Sequence, residues 1–211
     1  DVISSKPLTV TATGVNKVYD GTTSASVSFS DDRISGDVFT TTSTSATFAT
    51  SSIGTGIVVS VSGISLTGTD SGNYSQNTTT NTTADITAKP INVVADALSK
   101  ERLAVDPTLT YTGTSSLVSG DSFTGNLTRA VGETTGTYAI SQGTLSAGSN
   151  YTINFTGANL TIVDTTSPTL TAVGIVSNNT NTALAKTGDV VTVAFTSSES
   201  LLGTPVVTIR G

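Results

Sequence analysis

Residues 6–23 read KPLTVTATGVNKVYDGTT. The first half alternates: Leu8, Val10 and Ala12 take every second place, with threonines between them. A period of two puts the apolar side chains on one face of a strand. The second half breaks the pattern with Tyr19-Asp20-Gly21. Asp-Gly is a turn dipeptide, because glycine accepts positive φ and aspartate bonds its own backbone. The expected local structure is a strand ending near Gly14, a corner, and a second strand from near Ala25. Tyr19 is expected to lie as a lid over the end of the core, its hydroxyl wet or bonded to backbone. Read catalytically, Tyr19 would be a proton donor beside Asp20, but no second base stands near it in sequence. The corner is the reading adopted.

The same alternation runs through the chain. Val59 and Val61, Tyr151, Ile153 and Phe155, Leu160 and Ile162, and Val191, Val193 and Phe195 all alternate with small polar residues. Clusters of Gly, Asn, Asp and Ser separate these runs, as they do between strands. The expected fold is all-β: tandem small β-sandwich-like domains in an elongated array. One short helical turn is the most expected, at Ala95 to Arg102, ADALSKER. The large apolar side chains are spread evenly, which fits two or three thin cores better than one thick one.

An internal repeat organises the chain. Lys6-Pro7-Leu8-Thr9-Val10 returns as Lys89-Pro90-Ile91-Asn92-Val93. Ile34-Ser35-Gly36-Asp37-Val38-Phe39 returns as Val118-Ser119-Gly120-Asp121-Ser122-Phe123, and Asn73-Tyr74 as Asn150-Tyr151. Thr83-Ala84-Asp85-Ile86-Thr87 returns as Gly157-Ala158-Asn159-Leu160-Thr161. The order is kept throughout. The expected units are a lead-in at 1–5, domains at 6–88 and 89–163, a linker at 164–168 closed by Pro168, and a different segment at 169–211.

Composition narrows the chemistry. The 211 residues include no His, Cys, Met or Trp. That removes the commonest general base, the soft metal ligands and the thiol nucleophile. Ser and Thr make up roughly a third of the chain, well above ordinary usage. Charged residues are 11% and aromatics 5%, with a net charge of −6 and a pI of about 4.3. No basic patch invites nucleic acid, and no apolar run is long enough to span a bilayer. The chain starts at Asp1 without a basic n-region, so an excised or mature piece of a longer protein is expected.

These residues resemble known repeats. The opening KPLTV, the KVYDGTT turn, Gly36-Asp37 and the run from Phe48 to Ser75 resemble the YDG-type repeat of large bacterial surface proteins. Residues 119–162 resemble the related MBG-type repeat. Such repeats usually carry Tyr-Gly a few residues before a proline; here Leu103-Ala104 stands ahead of Asp106-Pro107. The segment from Pro168 resembles the first part of a bacterial Ig-like repeat, but only 44 residues of it are present. A full Ig-like sandwich has about seven strands over about 100 residues. About three strands are therefore expected, with open edges and an uncovered apolar face. The resemblance implies a non-enzymatic stalk or spacer in a bacterial cell-surface adhesin or extracellular fibre. Its partners would be neighbouring repeats or subunits.

Candidate sites are few. Asp31, Asp32, Asp37, Asp70, Asp121, Asp164, Asp189 and Glu199 fall in expected turns. Calcium needs six to eight converging oxygens, and no DxDxDG run supplies them. Asp164, in the linker, is the one candidate calcium ligand, with further ligands from neighbouring loops. Gly36-Asp37 and Gly120-Asp121 are read as structural turns, with Phe39 and Phe123 as core anchors. Tyr19, Tyr74, Tyr111, Tyr138 and Tyr151 are the candidates for a carbohydrate or protein-binding surface. The Asn-x-Ser/Thr sites, such as Asn73 and Asn150, are discounted as products of composition. A Lys–Asn isopeptide crosslink at Lys6, Lys89 or Lys186 would need a buried carboxylate beside the lysine. Strand exchange by the incomplete last segment, giving a self-assembling fibre, is the alternative to a spacer.

Overall fold

The computed structural model describes residues 4–113, 116–201, 204–206 and 208. The chain is all-β. The described residues hold a single helical element, a 3-10 turn at Ser71–Asn73. Those up to Ile162 form one compact unit and those from Val163 a second.

In the first repeat, β1 (Lys6–Leu8) runs parallel to β9 (Tyr74–Gln76), with Lys6 opposite Tyr74. β2 (Val10–Val15) pairs antiparallel with β4 (Ser26–Asp31). A four-stranded sheet has the order β3 (Lys17–Val18), β10 (Thr79–Thr87), β7 (Gly54–Ser62), β6 (Ser45–Phe48). β5 (Thr40–Thr42) pairs with β8 (Ser65–Thr67).

The second repeat reuses the first contact. β11 (Lys89–Ala95) runs parallel to β16 (Tyr151–Thr156), with Lys89 opposite Tyr151. The recurring Lys-Pro and Asn-Tyr motifs are thus register partners in both copies. On its other side β11 meets β13 (Tyr111–Gly113), but only over Val93 to Ala95. Pro90 therefore lies where the strand is paired on one side alone, the position a residue without an N–H tolerates. The second sheet has the order β12 (Leu98–Glu101), β17 (Ala158–Val163), β15 (Gly136–Ser141), β14 (Thr128–Arg129).

The expected turn at ADALSKER is corrected. Leu98–Glu101 is the strand β12, hydrogen-bonded to β17. The helix preference of Ala, Leu, Lys and Glu is worth only tenths of a kcal/mol per residue. A partner strand and the burial of Lys100 outweigh it.

Alternation decides what is buried. In β7, Val59 and Val61 are buried, while Val58 and Ser60 face outward. Burying one such valine is worth roughly 1.5–3 kcal/mol. The buried residues form two clusters among those described. The first holds Leu8, Val10, Phe48, Val59, Val61 and Ile86, and it continues into the second repeat through Ile91, Ala147 and Tyr151. The second lies within the second repeat, around Val93, Ile140, Leu145 and Leu160. Even spacing of apolar residues points to thin cores but not to one that crosses the repeat boundary, as the first cluster does.

The last unit contains one antiparallel ribbon, β18 (Leu170–Ser177) with β19 (Val191–Ser197). That is two strands among the described residues, against the three or so expected, and residues 202–203, 207 and 209–211 lie outside them. Leu170, Val173, Ile175, Val176 and Val191 are all exposed.

Candidate functional site

The two Gly-Asp turns share one construction. In each, the aspartate N–H bonds the carbonyl three residues back: Asp37 to Ile34 at 3.2 Å and Asp121 to Val118 at 3.0 Å. The glycine between them is left-handed, with φ of 104° at Gly36 and 96° at Gly120. A third residue of that kind is what a type II turn requires. A tyrosine from the parallel strand then closes the turn. The Ile34 N–H donates to the Tyr74 hydroxyl at 2.9 Å, and that hydroxyl donates to Asp37 Oδ2 at 2.5 Å. The Val118 N–H donates to the Tyr151 hydroxyl at 2.8 Å, which donates to Asp121 Oδ2 at 2.6 Å.

The second of these turns has a visitor. The Tyr19 hydroxyl, from the KVYDGTT corner of the first repeat, also donates to Asp121 Oδ2, at 3.0 Å. Its ring meets the Tyr151 ring edge-on at 5.4 Å between centroids. Gly21 lies so close to the second repeat that a Cβ there would stand 2.6 Å from Val118 Cγ1. Alongside, the Ile53 N–H donates to Asn150 Oδ1 at 3.1 Å. Tyr19, Gly21 and Ile53 thus form a plug, and Val118, Asp121, Asn150 and Tyr151 a socket. Burial raises the pKa of Tyr19 and of Tyr151, and the Asp121 carboxylate raises both further. Both shifts keep the tyrosine hydroxyls neutral, as donors to the Asp121 side chain.

The corner is built to present this tyrosine. Asp20 Oδ1 accepts from the Thr22 N–H at 2.8 Å, the Thr22 hydroxyl at 2.9 Å and Lys17 Nζ at 2.8 Å. Lys17, then the Thr22 amide, hold the Asp20 carboxyl down at about 2. Gly21 turns with φ of 79°, and the Tyr19 N–H is tied to the Thr87 carbonyl at 2.8 Å. KVYDGTT is the corner expected from its sequence. The tyrosine hydroxyl, expected to be wet or bonded to backbone, instead bonds a carboxylate of the next repeat.

The other candidates have local explanations. Asp164 Oδ1 accepts from the Thr166 hydroxyl at 2.7 Å. Among the described residues no three carboxylates gather where they could hold a metal ion. Asp70 accepts from the Val38 N–H, and Asp189 from the Lys186 N–H, both at 2.8 Å. None of the five tyrosines is exposed. Phe39 is buried, and Phe123 is half-buried between the two clusters.

Lys100, which sequence spacing did not single out, has two carboxylates around it. Its side chain is buried and its Nζ meets Asp106 Oδ1 at 2.7 Å and Glu133 Oε2 at 2.6 Å. Arg129 binds the same two carboxylates. Asp106 is held at about 2 by Arg129 first and Lys100 second, while Lys100 is raised by Asp106 and Glu133. Both shifts keep the charged forms. An amide bond would need a neutral amine and an unionised carboxyl, so the cluster is an ion-pair network.

The turn after β12 corresponds in position to the KVYDGTT corner and departs from it. Leu103 there has φ of 67°, the one positive φ at a non-glycine among the described residues, and is 77% exposed. Where the related repeats carry Tyr-Gly, this chain holds a leucine in a strained conformation. The plug itself was missed in the sequence because its two halves lie about a hundred residues apart. The repeat gave the only signal, since Asp37 with Tyr74 and Asp121 with Tyr151 recur together.

No curated protein and no solved structure matches the chain significantly. Family comparison does: residues 4–84 match the YDG domain, and residues 91–161 match the MBG domain of the YGX type. The plug therefore comes from the first of these domains and the socket from the second, and the chain carries a YDG domain and an MBG domain in tandem.

Proposed function

We propose that this chain is a non-enzymatic spacer within a bacterial cell-surface adhesin or extracellular fibre. YDG and MBG domains are found in surface or extracellular proteins. The observation that carries the reading is the use made of the YDG motif: Tyr19 reaches across to Asp121 and fastens one domain to the next. A load applied along the chain is then shared between strand ladders and a side-chain joint. Low charge and many hydroxyls keep such a surface wet without a strong field. The 169–211 segment is read as the opening of an Ig-like domain, and calcium at Asp164 as an optional stiffener of the linker.

Immunolabelling of intact cells with an antibody against this chain tests the location; label confined to lysed cells would contradict it. Single-molecule stretching tests the spacer role. A spacer gives repeated, reproducible force peaks, and Tyr19→Phe lowers the one that opens the joint. A featureless extension would count against it.

A second reading is favoured by the exposed apolar side chains of β18 and β19. In it, a strand of another subunit completes the ribbon and the chain polymerises. Filaments from purified protein would favour that reading; a monomer at high concentration would end it.

A further inference from the structure

The first repeat has the same turn, and among the described residues no corner of another domain lies over it, although Tyr74 is itself buried and Asp37 half-buried. Ile34 stands where Val118 stands, at the same place in the same turn, and each gives its N–H to a tyrosine hydroxyl. Asp37 and Tyr74 match Asp121 and Tyr151, and Asn73 matches Asn150. Val118 is packed against the core cluster that runs through the joint. Ile34 is 55% exposed and Val38 beside it 65%. Asp37 Oδ2 takes the Tyr74 hydroxyl, whereas Asp121 Oδ2 takes both Tyr151 and Tyr19. Asn150 is half-buried under the Ile53 amide, and Asn73 is exposed. A carboxylate oxygen with one hydroxyl donor has capacity for a second. The Lys6 ammonium stands 5.7 Å from the Tyr74 ring centroid. It ends a flexible, exposed side chain that an arriving ring can displace.

From this we infer that Ile34, Asp37, Asn73 and Tyr74 form a docking socket for the Tyr-Asp-Gly corner of another YDG domain. That occupant is a second copy of the first repeat, placed ahead of it. Its tyrosine hydroxyl donates to Asp37, its glycine seats against Ile34, and the amide matching Ile53 donates to Asn73. The joint is directional. The corner of one domain enters the socket of the next, so identical YDG domains can be stacked indefinitely. The second repeat ends such a series, because its corresponding turn carries Leu103-Ala104 and no hydroxyl. The inference rests on the geometry of the repeats and stands whether or not the protein is a surface spacer.

The test duplicates residues 6–88 in place within the full chain, so that Ala88 is followed by Lys6 of the inserted copy and its Ala88 by Lys89. The chain has no cysteine, so Ile34→Cys in either copy supplies a single reporter thiol. With a small aromatic disulfide as probe, the thiol in the leading copy reacts freely. The one in the inserted copy reacts at least tenfold more slowly, at a rate like that of Val118→Cys in the parent chain. Tyr19→Phe with Gly21→Ala in the leading copy restores fast reaction. Amide exchange of the unsubstituted duplicated chain gives a readout free of the new thiol: the Ile34 N–H is bonded to Tyr74 in both copies, and it exchanges more slowly in the inserted, covered copy. Equal reaction or equal exchange in both copies overturns the inference. So does a duplicated chain that fails to fold where the parent folds, since the socket would then not accept the corner.

Discussion

The two Gly-Asp turns share a left-handed glycine, a tyrosine cap and an aspartate acceptor, and differ in what covers them. Over Val118 lies the corner of the preceding domain, with Gly21 in contact and Tyr19 bonded to Asp121. Ile34 has no such cover among the described residues, and its side chain is 55% exposed. One construction thus has two uses. It closes its own domain through the tyrosine of the parallel strand, and it can take a neighbour. A motif that recurs within one chain need not have one role in every copy.

Paired substitutions at matched positions separate the two uses. The largest difference is expected at the aspartates. Asp121→Ala leaves two tyrosine hydroxyls without their acceptor and costs about 3 kcal/mol, while Asp37→Ala leaves one and costs about half that. Urea denaturation of both variants measures it, and equal losses would break the comparison. The glycines come next. Gly21→Ala meets both an unfavourable φ and Val118, for a loss of about 2 kcal/mol. Gly36→Ala has open space around it and costs only the backbone term, about 1 kcal/mol.

The corresponding turn of the second repeat gives a smaller effect of opposite sign. Leu103→Gly relieves the left-handed leucine and loses some of that gain to chain entropy. A net stabilisation of about 0.5 kcal/mol is expected in the same assay. The smallest effect is expected in acid. Asp20 and Asp106 are depressed to about 2 in the folded chain, so the unfolded chain binds more protons as pH falls below 4. Their contribution is present above pH 4 and is lost as pH falls through about 2. Both carboxylates are partly exposed and screened by solvent. Asp106→Asn should flatten the fall of the urea midpoint between pH 4 and pH 2; an unchanged slope would remove Asp106 from the account.

Much of the fold is legible in the sequence because alternation is a local signal. Val59 and Val61 facing inward, Ser60 between them facing out, and the Asp-Gly corner at 20–21 all follow from neighbours in the chain. Strand β12 is not legible, because ADALSKER has helical residues and its strand partner lies about sixty residues away. The joint is half legible. The repeat marks Asp37 and Asp121 as equivalent, and Tyr74 and Tyr151 likewise. Nothing local says that Tyr19 would visit one of them, since that contact depends on how two finished domains meet.

The central claim is that the tyrosine of the YDG corner holds the next domain through Asp121. A double-mutant cycle on Tyr19→Phe and Asp121→Ala, read by urea denaturation, tests it most directly. The account predicts that Tyr19→Phe lowers the midpoint in the parent chain and does not lower it, or raises it, once Asp121 is alanine. The same loss in both backgrounds would mean that Tyr19 acts only as a lid on its own domain.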